Sequence, residues 1–518
     1  MIAGAFCGAP LRRPCDNSLV TALARRPWIE MGSFAALLLL FSFAFHTLLR
    51  SPCLGVADIN DFWRVMRPAG IEHVKPLVKK GHFVVCTFKT GRARLASGTS
   101  SATLVAWSAK HFGWGLRPGP ELMDLRQMGR VCLLMVLCVV VASIAARASP
   151  LLLGLLLYVL VDPGYLLFFN SFYANSVFFI ALFGITLWFE RYGDLSPEFW
   201  GLDNLLWAGV MASLGSLVIL GGASKMQYVL FPSFVTICLA VPLGINRRKS
   251  TIRAISMTSV LALLSVAMPL LFFFGPAPRF LEANNYHAVY GGIVQVASDP
   301  NGVLQDLDIP RRYWNLPRTD YWTAGVADSH PVHRHLRHLS RFQLLRLWVC
   351  DPGALRVVKA EIEAAMAPVE THPRGNYVRD ATHRRKTTHK TWWQFSRIHG
   401  ALYRTWPPLI WLILGVGGTL GATALLGGRR NGTKAAMLFL TLWAASQFVV
   451  IVLGEGLVNL RAHLVGTRLA LDFLLVLLIW DMTRALSRRW RRKRLALDLP
   501  RSSGREQSSE TPAACHVD

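Results

Sequence analysis

Residues 33–50 read SFAALLLLFSFAFHTLLR, an apolar run with no acidic residue and its only Lys or Arg at the last position. A helix rises about 1.5 Å per residue, so about 17–25 such residues cross a bilayer. The run lacks a small-residue cleavage site and follows a long amino-terminal tail, so it reads as a retained signal anchor. Runs of the same kind recur near 129–147, 149–161, 174–190, 203–221, 226–244, 254–275, 407–427, 434–454 and 464–484. About ten spans are therefore expected, with 149–161 short enough to shift the count by one or two. The composition agrees: 518 residues, 53% hydrophobic and 17% charged, with a mean hydropathy of +0.36. The fold class is an all-α polytopic membrane protein.

The formal charge of +26 raises the question of nucleic acid. The Lys and Arg residues instead fall largely in short clusters beside the apolar runs, where they orient the chain, and no zinc finger or RNA-recognition signature is present. Nucleic acid is therefore not an expected partner. Arg12, Arg13, Arg25 and Arg26 place the amino terminus in the cytoplasm. With ten spans, Arg247-Arg248-Lys249, Arg429-Arg430 and the run from Arg488 to Arg494 fall on that same side. The expected organisation is a cytoplasmic tail at 1–32 and an amino-terminal bundle at 33–275 that includes an outer loop at 51–128. A large outer loop domain at 276–406, carboxy-terminal spans at 407–484 and a basic, disordered cytoplasmic tail at 485–518 follow. The nine cysteines show no C-x-x-C or Cys/His spacing, so no zinc site is readable. Cys53, Cys86 and Cys350 fall in loops, where nothing in the spacing favours a bridge. The segment from about Val78 to Trp114 has no clear period and reads as an irregular insertion or loop.

Chemistry concentrates at the outer ends of the spans. In VADINDFWRVMRPAGIEH, residues 56–73, the D-x-x-D spacing of Asp58 and Asp61 in a helix puts both carboxylates on one face. A carboxylate there can take a proton from an acceptor hydroxyl. The competing reading is a helix cap by Asp58 or Asn60, with Arg64 as ion-pair partner. In DPGYLLFFNSFYANS, residues 162–176, Asp162, Asn170, Ser171, Tyr173, Asn175 and Ser176 interrupt an apolar run. Polar groups at membrane depth need partners or a cavity, so a broken or re-entrant helix lining a polar cleft is expected. Lys225 and Gln227 sit at the start of another span, where the lysine either snorkels or holds a lipid-linked phosphate. Arg461 and His463, with Glu455 close by, present the same choice. Arg468 lies a turn inside the last run and must face protein or a cavity. Residues 282–314 read as the exit from a span, through Asn285 and Tyr286, then a short helix capped at Ser298-Asp299-Pro300. Residues 372–403 mix arginines, lysines and histidines with aromatic residues around Asn376 and Tyr377, which suits an anionic, sugar-bearing or lipid-headgroup ligand. His333, His335 and His338 lack neighbouring carboxylates and read as a solvated helix face, not a metal site.

In order, NDFWRVMRPAGI, DPGYLLFFNSFYANS, ASKMQY, NNYHAVYGGIVQVASDPNGVLQDLDIP, RGNYVRD with WWQFSRI, and LGEGLVNLRAHLVGTRLALD resemble a family of bacterial polytopic membrane proteins. That family is associated with surface-glycan biosynthesis, its members are described as hexose transferases, and its layout is similar to that of GT-C glycosyltransferases. The pieces run from Asp58 to Asp472. The resemblance implies a GT-C-like bundle in the bacterial inner membrane that uses a polyprenyl-phosphate sugar and a glycan or lipid-linked acceptor on the outer face. It implies Asp61 as base, with Asp58 second. It implies no cofactor and leaves a divalent metal open. One departure is that the family usually carries a glutamate after NSFY, where this chain has Ala174 and then Asn175. The competing functions are a lipid-linked glycan transporter or flippase and a non-catalytic subunit of a glycan-assembly complex. Transporters place polar sites near the midplane of repeated halves, whereas here the polar features gather at one mouth.

Overall fold

The computed structural model describes residues 27–58, 61–74, 82–93, 100–112, 119, 121–193, 204–245, 256, 259–267, 278–319, 321, 324–326, 330–368, 375–379, 393–427 and 431–498. The chain is mostly helical. Among the described residues, Met31–Leu49, Arg126–Ala145, Leu409–Leu426 and Gly432–Glu455 are long and apolar enough to cross a membrane. Pro150–Leu160 and Pro163–Phe169, bent by 64° at a short break, make a fifth if they form one span. Helices also occupy the apolar runs at Asn175–Tyr192, Asn204–Gly222, Phe231–Ile245 and Val465–Asp498. The run 254–275 is described only at 256 and 259–267. A count near ten thus remains an expectation from the sequence.

Asn175–Tyr192 is the axis of the bundle: every residue from Asn175 to Phe189 is buried. It packs against Arg126–Ala145, Asn204–Gly222, Gly432–Glu455 and Val465–Asp498. Phe178 stacks on Tyr228 at 3.9 Å between ring centroids and lies 5.0 Å from Trp443. Between Leu409–Leu426 and Gly432–Glu455, a Cβ on Gly421 would stand 2.8 Å from the Lys434 carbonyl oxygen. Only glycine permits that approach, which is how helices associate where lipid offers no hydrophobic drive. The first helix does the opposite, exposing Leu38, Leu39 and Phe45. Such a row suits an acyl-chain environment.

At one end of the bundle the expectation of an irregular insertion or loop is corrected by a small sheet within the mostly helical chain. Ile71–His73 (β1), Thr87–Thr90 (β2) and Leu122–Asp124 (β3) form a three-stranded antiparallel sheet in the order β1-β2-β3. Ser101–His111 is a helix whose first turn is capped by the Ser100 hydroxyl, which accepts from the Thr103 amide. Strands of three or four residues are too short to show a period, so pairing, not pattern, defines them. Residues 75–81, 94–99 and 113–118 of this segment lie outside the described residues.

Cys53 and Cys86 are joined by a disulfide across 33 positions, with their Cα atoms 6.4 Å apart. Beside it the two long loops meet. Leu54 bridges to Tyr377 and Val84 to Val378, while the Gly55 amide donates to the Asn376 carbonyl at 3.2 Å. The Asn376 side chain returns a bond to the Gly55 carbonyl at 2.9 Å. Both loops therefore sit at the same end of the bundle.

Closing a loop of this length stabilises a domain by about 3–4 kcal/mol in the chain-entropy account. Cys53→Ser, Cys86→Ser and the double variant are each expected to lower the thermal unfolding midpoint in detergent by the same amount. A double variant worse than either single one would show that the two cysteines act separately.

Candidate functional site

The two aspartates of the first outer segment have different environments. Asp58 is buried; its Oδ1 accepts the amides of Asp61 at 2.9 Å and Phe62 at 3.1 Å. Its Oδ2 lies 3.1 Å from Nε2 of His73 on β1. Asp58 therefore fixes the turn that leads into the helix Trp63–Ala69. Asp61 ends up 37% exposed, with its Oδ1 3.5 Å from an Arg64 guanidinium nitrogen. The expectation that both carboxylates share a helix face is corrected, because both residues precede the first helical residue. Phe62 holds this turn in place: it is buried and meets Phe172 and Tyr173 edge-on at 5.5 and 4.8 Å. Gly70, at φ +70°, ends the helix and turns the chain into β1.

The segment 162–176 is broken, as its sequence implies, yet its polar side chains bond to protein. The Asp162 Oδ1 accepts from the Gly164 amide and the Ser396 hydroxyl, and its Oδ2 from the Ser396 amide at 3.0 Å. Asn170 donates to the carbonyls of Leu48 at 2.6 Å and Leu54 at 2.7 Å. Ser171 donates to Phe168, and Tyr173 to the Ala57 carbonyl at 3.0 Å. Asn175 is buried at the start of its helix. These residues build the wall that carries Asp61. Deeper in the wall, Asp472 accepts from the Tyr165 hydroxyl at 2.5 Å and pairs with His399. Arg468 is buried and reaches the Pro368 carbonyl, facing protein as its position in an apolar run requires.

A second polar group gathers at the same end. Lys225, Gln227, Glu455, Arg461 and His463 are all half-buried. The Gln227 amide donates to the His463 carbonyl at 3.2 Å. Glu455 lies 3.0 Å from His287 Nδ1 and within electrostatic reach of His463 and Lys225. The Ser101 amide and hydroxyl bond the Ala223 and Leu220 carbonyls, and Lys110 reaches the Ala69 and Gly70 carbonyls. The helix Ser101–His111 thus spans from beside Lys225 to the end of the Asp61 helix, about 16 Å at 1.5 Å per residue.

In the large loop, Asn285 and Tyr286 are buried and donate to the carbonyls of Leu336 and Pro317. Asn376 is buried, and Tyr377 is half-buried beside the disulfide-linked segment. The cap at Asp299 is present, accepting from the Gly302 amide. Against the solvated-face reading, His333 is buried against Tyr321, with ring centroids 5.5 Å apart. Residues 380–392, including Trp392, lie outside the described residues. Among the described residues no group of three or more His, Cys, Asp or Glu could hold a metal ion. The polar pairs built on His287, Ser396 and His399 are not evident from the sequence, since their partners lie 73 to 234 positions away. The one available signal was the rarity of Asp472 and Arg468 inside an apolar run.

The model of one protein family, the YfdI N-terminal transmembrane domain, matches residues 20–503. No curated protein matches. No solved structure matches.

The division of labour between the aspartates has a measurable consequence. Asp58→Ala leaves two backbone amides without their acceptor and is expected to cost about 1–3 kcal/mol, whereas Asp61→Ala at a half-exposed position should stay within about 0.5 kcal/mol. Thermal unfolding in detergent ranks the two; equal losses would contradict the assignment.

Proposed function

From the premise that the chain belongs to the YfdI N-terminal transmembrane domain family, we propose that this polytopic membrane protein is a glycosyltransferase of glycan assembly. It moves a hexose from a polyprenyl-phosphate donor to a glycan or lipid-linked acceptor on the outer face of the inner membrane. The observation that carries this reading is the environment of Asp61. Its neighbour Asp58 is taken up by two amides and a histidine, which leaves Asp61 as a partly exposed carboxylate beside the buried Phe62. Two further features support it. The Cys53–Cys86 disulfide favours an oxidising compartment for this end of the bundle. The basic side chains Arg64, Lys225 and Arg461, with His463 beside them, suit a phosphate-bearing donor.

In this mechanism the acceptor hydroxyl approaches Asp61, whose carboxylate takes the proton as the oxygen attacks the anomeric carbon. The bond from that carbon to the phosphate oxygen breaks, and polyprenyl phosphate leaves with the electron pair. Arg64, 3.5 Å away, orients Asp61 before the proton moves. The buried residues Asp162, Asn170, Ser171, Tyr173, Asn175, Asn285 and Asn376 act through position, holding the mouth at one shape. Gln227, Tyr286 and Tyr377 belong to the same frame.

Deleting the chain in its host and analysing surface glycans by mass spectrometry should reveal the loss of one sugar. Asp61→Asn should reproduce that loss with an unchanged amount of protein in the membrane. Normal glycans from Asp61→Asn would remove Asp61 as base, and accumulation of complete lipid-linked glycan on deletion would indicate transport instead of transfer.

A further inference from the structure

The helix Gln394–Thr405, which precedes the span Leu409–Leu426, has three unlike sides. The first is buried and consists of Ser396, His399, Gly400 and Tyr403. The Ser396 amide donates to Oδ2 of Asp162 at 3.0 Å, and His399 pairs with Asp472 through Nδ1. Its Nε2 donates to the Met366 carbonyl at 3.2 Å. The second side is apolar yet open: Ile398 is 54% exposed, Leu402 38%, and Trp406, just past the helix end, 50%. The third carries Arg397 and Arg404, both exposed. Spacing produces this division. Phe395 and Leu402 are two turns apart, as are Arg397 and Arg404, and at 3.6 residues per turn the two lines stand roughly 160° apart around the axis.

The buried side sets the depth of this helix. Asp472 comes seven residues after Val465, where its own helix begins beside the mouth, so its pair with His399 lies about 10 Å below that helix end at 1.5 Å per residue. Asp162, the partner of Ser396, stands at the break between Pro150–Leu160 and Pro163–Phe169, again within the bundle. At its start the helix meets Pro150–Leu160, with Phe395 edge-on to Tyr158 at 6.2 Å between ring centroids, and at its end it packs against Leu409–Leu426. Both neighbours turn apolar side chains outward, Leu151 and Leu155 on one, Leu412 and Val416 on the other. Ile398 and Leu402 therefore carry onto this helix the surface that the spans present to lipid.

We propose that Gln394–Thr405 is an interfacial helix and that the bilayer is its partner: acyl chains of the leaflet on the disulfide side cover Ile398, Leu402 and Trp406, while Arg397 and Arg404 meet the headgroup phosphates. An amphipathic helix in a leaflet seats its apolar side about 5–10 Å into the headgroup–acyl boundary, the depth that the Asp472 pair sets. Guanidinium groups pair with phosphate, and an indole such as that of Trp406 is at home at the membrane–water interface. Lipid on one side of the helix thus supports the polar wall that Asp162 and Asp472 form on the other.

Fluorescence quenching tests the placement without requiring turnover. In the full chain with Cys53 and Cys86 as its only native cysteines, Ile398→Cys, Leu402→Cys, Arg397→Cys and Arg404→Cys are each labelled with nitrobenzoxadiazole. The labelled chains are reconstituted into vesicles of phosphatidylcholine and phosphatidylglycerol. A nitroxide on the lipid acyl chain should remove most of the emission at 398 and 402 and little at 397 and 404, whereas iodide in the buffer should do the reverse. All four positions replace exposed side chains, and the two on each side report independently, so a variant that aggregates leaves its neighbour to decide. Iodide quenching at 398 and 402 equal to that at 397 and 404 would put the apolar side in water and overturn the proposal. Protection of 398 and 402 from both quenchers would overturn it in favour of a protein contact, such as a second copy of the chain.

Discussion

One buried amide fixes the end of the bundle where the polar groups gather. Asn170, wholly buried, donates to the carbonyls of Leu48 and Leu54, on either side of the point where the first helix ends at Leu49. Both bonds matter because a buried amide group left without a partner is costly. Two glycines make the arrangement sterically feasible: a Cβ on Gly55 or on Gly129 would collide with Asn170. From Gly55 the linkage passes directly to Asn376 of the large loop. The first span, the broken helix and both long loops thus meet around one side chain.

That constraint explains why two aspartates three residues apart differ. The chain leaving Leu54 is held against the bundle, so Ala57 and Asp58 are buried, and the Ala57 carbonyl accepts from Tyr173. A buried carboxylate needs donors, and the following turn and His73 supply them. Asp61 comes one turn later, where the backbone has reached the rim. At the same end of the bundle, Glu455 lies 3.0 Å from Nδ1 of His287, whose other ring nitrogen accepts from the Tyr321 amide.

Much of this was legible in the sequence because bilayers impose simple rules. Apolar runs marked the helices, the polar residues interrupting 162–176 marked the break, and the Ser298-Asp299-Pro300 cap formed where its residue types suggested. Arg468 had to face protein or a cavity, and it faces protein. What stayed hidden depends on partners far away in the chain. β1, β2 and β3 are too short for periodicity, the Cys53–Cys86 pairing had no spacing signature, and Asp162 finds Ser396 234 positions away. The dense Asn and Ser content near 170 suggested an open polar cleft; the same residues instead satisfy backbone carbonyls, a choice that composition alone does not determine.

The central claim is that Asp61 faces a sugar-lipid cleft on the outer side of the membrane. In a chain whose only native cysteines are Cys53 and Cys86, Asp61→Cys provides a reporter for a membrane-impermeant maleimide applied to intact spheroplasts. The account predicts prompt labelling from outside, slowed when short-chain polyprenyl-phosphate hexose is present. Labelling only after permeabilisation, or a rate indifferent to the sugar lipid, would contradict it.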